Sequence, residues 1–451
     1  MQPGPGPGQG ESVTLKPFLA GLIALGTLAA CGGQEEILPG ERLDIRTDID
    51  GPTQAEAPFA NEARPISLAG PVENTAWSHR NGGPEHQITH PALGRGLTPV
   101  FAADIGEGDG RRHRITADPV VAAGRVFTLD ARTQVVATST AGERLWARPL
   151  AVASDNRRDA SGGGLATDGE TLLVTTGFGE LVALDTATGA ERWTQDLDAP
   201  GTSAPTIRNG LAYVVSRDGR AWAVDMETGR VRWTLTGTPS AANFAGGPGA
   251  AVTSEIAVFP LPTGEVLAAF PRGGLRRWAS IVTGQRPGRA ASTISDLAGD
   301  PVIDGDRVYV GNVSGRMAAL RLANGDRIWS VSEGAVGPVW PAGGSVFLVN
   351  DLGELLRLDA ADGSPVWRVD LPGFVESRER RQSTRHEHYG PVLAGGRLIV
   401  ASSDGLVRQF DPVSGDLVGT LEVRGGATSN PVVAGGTLYV VTKRGQLLAF
   451  R

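Results

Sequence analysis

Three kinds of residue in this chain of 451 could do chemistry. Aspartates recur at one position of a repeated phrase, as Asp185, Asp225, Asp359 and Asp411, and a carboxylate in a cleft can serve as a general acid or base. His386 and His388 stand two apart in RHEHYG, and two imidazoles so close could reach one metal ion. A single cysteine, Cys31, ends an apolar run. Each has a plainer reading. Every one of the four aspartates precedes a glycine by four residues, the pattern of a turn in which a carboxylate accepts backbone N–H groups, so their role is structural. The histidines follow ESRERRQS and read as part of a long solvated loop, with partner contact as the alternative. One cysteine permits neither an internal disulfide nor a thiolate metal cluster. Neither a Ser-His-Asp context nor a Gly-rich phosphate loop is found.

The phrase around the aspartates defines the elements. LVALDTATGAERW ends at Trp193, RAWAVDMETGRVRW at Trp233 and ELLRLDAADGSPVW at Trp367. Aligned tryptophans fall at Trp146, Trp193, Trp233, Trp278, Trp329 and Trp367, 38 to 51 residues apart. Repeats of about 40–50 residues with four short strands mark the blades of a β-propeller. Leu181 to Leu184 are apolar without alternation, as in a strand buried on both faces. Gly189 can take the positive φ that closes a hairpin, and Trp193 can bury its flat side chain against the next blade. The blade of Trp278 has FPRGG in place of the aspartate turn, and the blade after Trp367 has DLVGTL in the tryptophan slot. Tolerated loss of either residue favours packing over catalysis. The 63 glycines, about twice the usual share, fit a chain full of turns. A net charge of −7 with no basic stripe argues against nucleic acid as a partner.

The two ends set the count. NPVVAGGTLYVVTKRGQLLAFR finishes the chain with three strands, while LTPVFAADIG, before the first repeat, supplies one strand with Phe101 where tryptophan would stand. Joined, they make an all-β ring of eight four-stranded antiparallel blades, closed by an N-terminal strand that completes the C-terminal blade. The irregular stretch from Gly249 to Trp278 keeps seven blades as the alternative. The propeller is assigned to residues 97–451.

Before it, Pro17 to Ala30 is a weakly polar run of fourteen residues, too short to cross a bilayer and suited to a signal peptide. Leu28-Ala29-Ala30-Cys31 has the small residues and cysteine of a bacterial lipobox. Residues 1–30 are read as signal peptide, Cys31 as the lipidation site, and 31–96, rich in proline and charge, as a flexible tether. Trp77 and HRNGGPEHQITH are candidates to dock on the globular part.

The unit A-x-D-x-x-T-G-x-x-x-W resembles the tryptophan-docking repeat of eight-bladed pyrroloquinoline quinone dehydrogenases. The whole chain, through the lipobox, EEILPGERLDIR and all the blades, resembles the BamB family of lipoproteins in the outer-membrane β-barrel assembly machinery. That resemblance implies a non-enzymatic scaffold without cofactor or metal, held by lipid at the periplasmic face of the outer membrane. It implies binding to the periplasmic domains of BamA and membership of the rest of the complex, with a monomer outside it. It also implies contact residues: Leu235 and Gly237 match the family loop after the third blade, with Thr236 in place of its arginine. Asp296 matches the first acid of the loop into the fifth blade, with Ala298 in place of the second. The alternative is a periplasmic quinone-dependent dehydrogenase or a ligand-binding propeller. Dehydrogenases of that kind hold quinone and calcium in the central funnel and usually carry a ring of two adjacent cysteines, which this chain cannot form.

Overall fold

Each repeat folds into four strands that pair in chain order. In the second, the strand Thr171–Thr176 is buried throughout and Glu180–Asp185 is buried except at its ends. The outermost strand, Glu191–Asp196, alternates between exposed and half-buried, because only one of its faces meets a neighbour. The computed structural model describes residues 4, 59–150, 162–201, 203–238, 246–284, 286, 296–378, 380 and 382–451. Among them are 32 strands in eight antiparallel sheets of four. Blades 1 to 7 span residues 120–149, 163–196, 206–236, 251–281, 302–331, 340–370 and 388–422.

Blade 8 takes three strands from residues 432–450, and its fourth is Pro99–Asp104. The register runs from Ala102 opposite Leu448 to Asp104 opposite Gln446. Thr98 and Arg451 exchange two backbone hydrogen bonds beyond the strand ends. The first and last described elements of the ring are thus one sheet, and blade 4 is as regular as the others.

A bulge follows the tryptophan position in blades 1 to 7. In blade 2, Ala183 faces Trp193 and the register then slips before Leu184. The residue opposite tryptophan is alanine in blades 1 to 5 (Ala137, Ala183, Ala223, Ala268 and Ala319). A small residue there leaves room for the indole, and the bulge turns the outer strand toward the next blade.

The expectation of a tether over 31–96 needs correction in its second half. The unit that contains the ring begins at Ala60. Residues 72–96 run through one mouth of the channel and touch the inner strands of all eight blades. Trp77 pairs with Val121 of blade 1, Ser78 O accepts from Thr167 N of blade 2, and Pro84 O accepts from Val252 N of blade 4. Glu85 O accepts from Ile303 N of blade 5, Pro91 O from Gly395 N after the inner strand of blade 7, and Asn74 O from Gly435 N after that of blade 8. Blade 3 donates Ile207 N to the His79 ring at 2.9 Å, and Trp340 of blade 6 stacks on Trp77 at 6.2 Å. Trp77 and His86 are each 1 % exposed. This strap has no period of its own because it answers eight different partners. Cys31 and the apolar run before it lie outside the described residues.

Candidate docking face and central channel

Strands that alternate in direction put every turn between first and second strands, and every turn between third and fourth, at one end of the ring. That end carries the aspartate turns and the strap. Asp185 Oδ1 accepts from Ala187 N at 3.0 Å, Thr188 N at 2.9 Å and Thr188 Oγ1 at 2.9 Å. Asp225 does the same with Glu227 and Thr228. Asp359 accepts from Ala361 N, and Asp411 from Val413 N and Ser414 N. Arg192 lies 2.8 Å from Asp185 and Arg232 lies 2.6 Å from Asp225. These arginines and the turn donors hold both carboxyls below the usual carboxylate range, the opposite of what a general acid needs.

The tryptophans sit at the seams. Each indole lies against the turn glycine of the next blade and donates its N–H to a carbonyl there. Trp146 reaches Thr186 O at 3.1 Å, Trp193 Met226 O at 2.9 Å and Trp233 Pro271 O at 2.9 Å. Trp278 reaches Leu322 O, Trp329 Ala360 O and Trp367 Pro412 O. A Cβ on Gly189 would fall 2.7 Å from the Trp146 ring, and one on Gly229 2.7 Å from Trp193. The glycine therefore does two jobs: it takes the positive φ and it seats the preceding tryptophan. Phe101 fills the same place against Gly142. Sequence reasoning missed this pairing, although the glycine and tryptophan recur together.

It also missed the channel cluster. Arg80 rises from the strap, and its Nε lies 3.2 Å from Asp118 and 3.1 Å from Asp300. These acids precede the inner strands of blades 1 and 5, four blades apart in a ring of eight. Asn430 donates to Asp118 from both its backbone N and its Nδ2 at 2.8 Å. Burial pushes the Asp118 carboxyl up, and Arg80 and Asn430 oppose that shift. His79 and His86 are buried beside it. Burial, then the neighbouring His86, lowers His79 to about 3. The available signal was the D-P or N-P pair that opens the inner strands at Asp118, Asp300 and Asn430.

The opposite end carries the connections from one blade to the next, and these do not repeat. Leu235, Thr236 and Gly237 lie where blade 3 leaves for blade 4. Thr236 is exposed and Leu235 is half-buried against the core of blades 3 and 4. Gly237 N donates to Gly219 O. Asp296 lies on the connection into blade 5 and is 6 % exposed. Asp296, Leu297, Arg217 and Pro262 line one pocket, which does not include Leu235, Thr236 or Gly237. Residues 239–245 and 287–295 lie outside the description. His388 is tied to Ser402 Oγ at 2.7 Å and Pro372 O at 3.0 Å. Among the described residues no three His, Cys, Asp or Glu side chains are grouped to hold a metal ion.

A closed ring of eight four-stranded blades, six of them docked by a tryptophan, defines a β-propeller built from pyrroloquinoline-quinone-type repeats. A sequence profile of the outer membrane protein assembly factor BamB matches residues 131–369 and 353–451, and the chain belongs to that family. The outer membrane protein assembly factor BamB of Shewanella oneidensis is 24 % identical over 367 residues, covering 77 % of this chain and 87 % of that protein. In structure the chain is similar to BamB from Moraxella catarrhalis, with a TM-score of 0.66 at 18 % identity, over 79 % of this chain and all of that one. It is also similar to quinohemoprotein alcohol dehydrogenase from Comamonas testosteroni, with a TM-score of 0.62 at 16 % identity, over 85 % and 81 % of the two chains. A quinone with calcium does not fit the channel seen here. The strap fills one mouth, and Arg80 already occupies the axis between Asp118 and Asp300.

Proposed function

We propose that this chain is a non-enzymatic scaffold of outer-membrane protein assembly, which binds the periplasmic domains of BamA through the blade connections opposite the strap. The observation that carries this reading is the asymmetry of the ring. One mouth is filled by the chain itself, and the axial carboxylates are paired with Arg80, while the surfaces that differ from blade to blade lie at the other end. Loops are where a rigid scaffold carries recognition. Leu235 to Gly237 and Asp296 mark the region of contact. With Asp296 nearly buried, its part is to shape the loop, while Thr236 and its neighbours meet the partner. Lipid on Cys31 confines both proteins to one membrane surface, which raises effective concentration and lets a modest interface be well occupied.

The test is a pull-down of the acylated chain from membranes. Recovery of a large β-barrel subunit, lost when the loop after blade 3 is replaced, supports the reading. Absence of that subunit overturns it. Saturable binding of pyrroloquinoline quinone with calcium, together with dye-linked alcohol or sugar oxidation, would establish the dehydrogenase instead.

A further inference from the structure

Blade 4 departs from its neighbours at the turn between its third and fourth strands, Phe270 to Trp278. In blades 2 and 3 the turn aspartate pairs with the arginine seven residues on, Asp185 with Arg192 at 2.8 Å and Asp225 with Arg232 at 2.6 Å. Blade 4 keeps that arginine as Arg277 and has Phe270 in the aspartate's place. The Arg277 guanidinium lies over the Phe270 ring at 5.5 Å, a contact that leaves its charge in place. The backbone is nevertheless fixed. Phe270 N donates to Leu275 O at 3.0 Å and Gly274 N to Phe270 O at 2.9 Å, and the Trp233 indole donates to Pro271 O at 2.9 Å. Phe270 is 45 % and Leu275 70 % exposed, and no large apolar side chain among the described residues is more exposed than Leu275. Exposed apolar side chains grouped on one feature mark a contact surface more than scattered ones do.

The charge of this turn runs against that of the chain. Arg272, Arg276 and Arg277 are exposed, and among the described residues none of them has a carboxylate within ion-pair distance. The turn itself contains no acid. The other turns at this end of blades 3 to 5, residues 208–211, 225–232, 253–256, 304–307 and 321–327, balance at six carboxylates to six arginines. In a protein of net charge −7 the local excess of positive charge thus belongs to blade 4. Arginines interleaved with an exposed phenylalanine and leucine on a projecting turn suit a bilayer interface, where guanidinium groups meet phosphates and apolar tips reach the acyl boundary. A peptide would look instead for a groove or a free strand edge.

We infer that the blade 4 turn of residues 270–277 is a contact site for an anionic phospholipid surface. Arg272, Arg276 and Arg277 meet the headgroup phosphates, and Phe270 and Leu275 enter the interface between them. The turn lies at the strap end of the ring, so this contact faces the blade connections away from the bilayer. The inference does not rest on the function proposed above, because it needs neither BamA nor lipid on Cys31.

The test uses the full chain with Cys31→Ser and Leu275→Cys, labelled at 275 with a polarity-sensitive dye and titrated with vesicles of equal parts phosphatidylglycerol and phosphatidylcholine. A blue shift of the dye is expected, weaker with phosphatidylcholine alone and weaker as salt rises from about 50 to about 300 mM. The lipid concentration at half-maximal shift should rise about tenfold or more in R272E/R276E and several-fold in Phe270→Ser, while the thermal midpoint of R272E/R276E stays unchanged. The control carries the dye at Ile281→Cys, at the far end of the same strand and 66 % exposed in the native chain, where no shift is expected. Four results would overturn the inference: no shift at 275 by about 1 mM lipid, an equal shift at 281, a shift indifferent to R272E/R276E, or a shift with a glutamate-leucine peptide but none with vesicles. The last would assign the turn to an acidic protein segment.

Discussion

Two kinds of joint hold this ring. At the seams leaving blades 1 to 6 an indole fits a glycine and donates one hydrogen bond. At the seam between blades 7 and 8 the tryptophan is replaced by Gly419, which faces Gln409. Blade 8 has no continuous hairpin there to offer a turn glycine, because its third and fourth strands come from opposite ends of the chain. Arg397 takes over. It contacts Gln409 Oε1 and the carbonyls of Leu93, Gly94 and Arg95 in the strap. Where the chain is continuous an indole and a glycine repeat at each joint; where it is broken that pair is missing, apolar side chains of blades 7 and 8 still share one core, and a polar tie to the strap stands beside it.

The largest test removes the broken joint altogether. Deleting residues 431–451 takes three strands from blade 8 and leaves the N-terminal strand without a sheet, so no cooperative thermal transition should remain. A transition of similar midpoint would mean that closure does not hold the ring. Next is the apolar joint. Trp367 is fully buried, and Trp367→Ala should cost about 3–5 kcal/mol by denaturant unfolding. Gly229→Ala attacks the same kind of joint from the socket side. Its φ of 70° and its 2.7 Å approach to Trp193 should together cost about 2–3 kcal/mol.

The strap can be loosened without touching any seam. Burial keeps His79 and His86 neutral in the folded protein, while the unfolded chain takes up protons near pH 6.5. The stability they contribute is complete above that pH and is lost as pH falls below it, for His79 toward about 3. By pH 5 His79 alone should account for about 2 kcal/mol, read as a drop in midpoint between pH 7.5 and pH 5. The lowered carboxyls of Asp185 and Asp225 act only in more acid solution. The smallest effect belongs to the polar joint: Arg397→Leu should cost about 1–2 kcal/mol, since water can reach part of what it leaves. A loss as large as that of Trp367→Ala would show the two joints to be equal.

The sequence made the ring legible and left the strap largely dark, for one reason. A blade repeats, so its tryptophan, aspartate and glycine announce themselves several times, and Phe101 could be recognised as a stand-in. The strap occurs once, and its partners sit on eight blades, so no local pattern in residues 72–96 could reveal it. Trp77 was the visible hint. The proposed contact region suffered differently. Leu235 and Asp296 were located by likeness, but their burial depends on how two connections cross the end of the ring, and no single stretch encodes that.

The seams also bear on why there are eight blades. Every repeat from blade 2 to blade 6 carries both a tryptophan and a glycine, one half of each joint. Loss or gain of one such repeat would leave matching halves on either side, so seams alone are indifferent to number. The strap is not. Its contacts from Asn74 to Pro91 reach all eight blades, some of them more than once, and a ring of seven or nine would leave some of them without a partner. Residues 72–96 are thus a gauge: they fix the circumference that the repeats by themselves leave open.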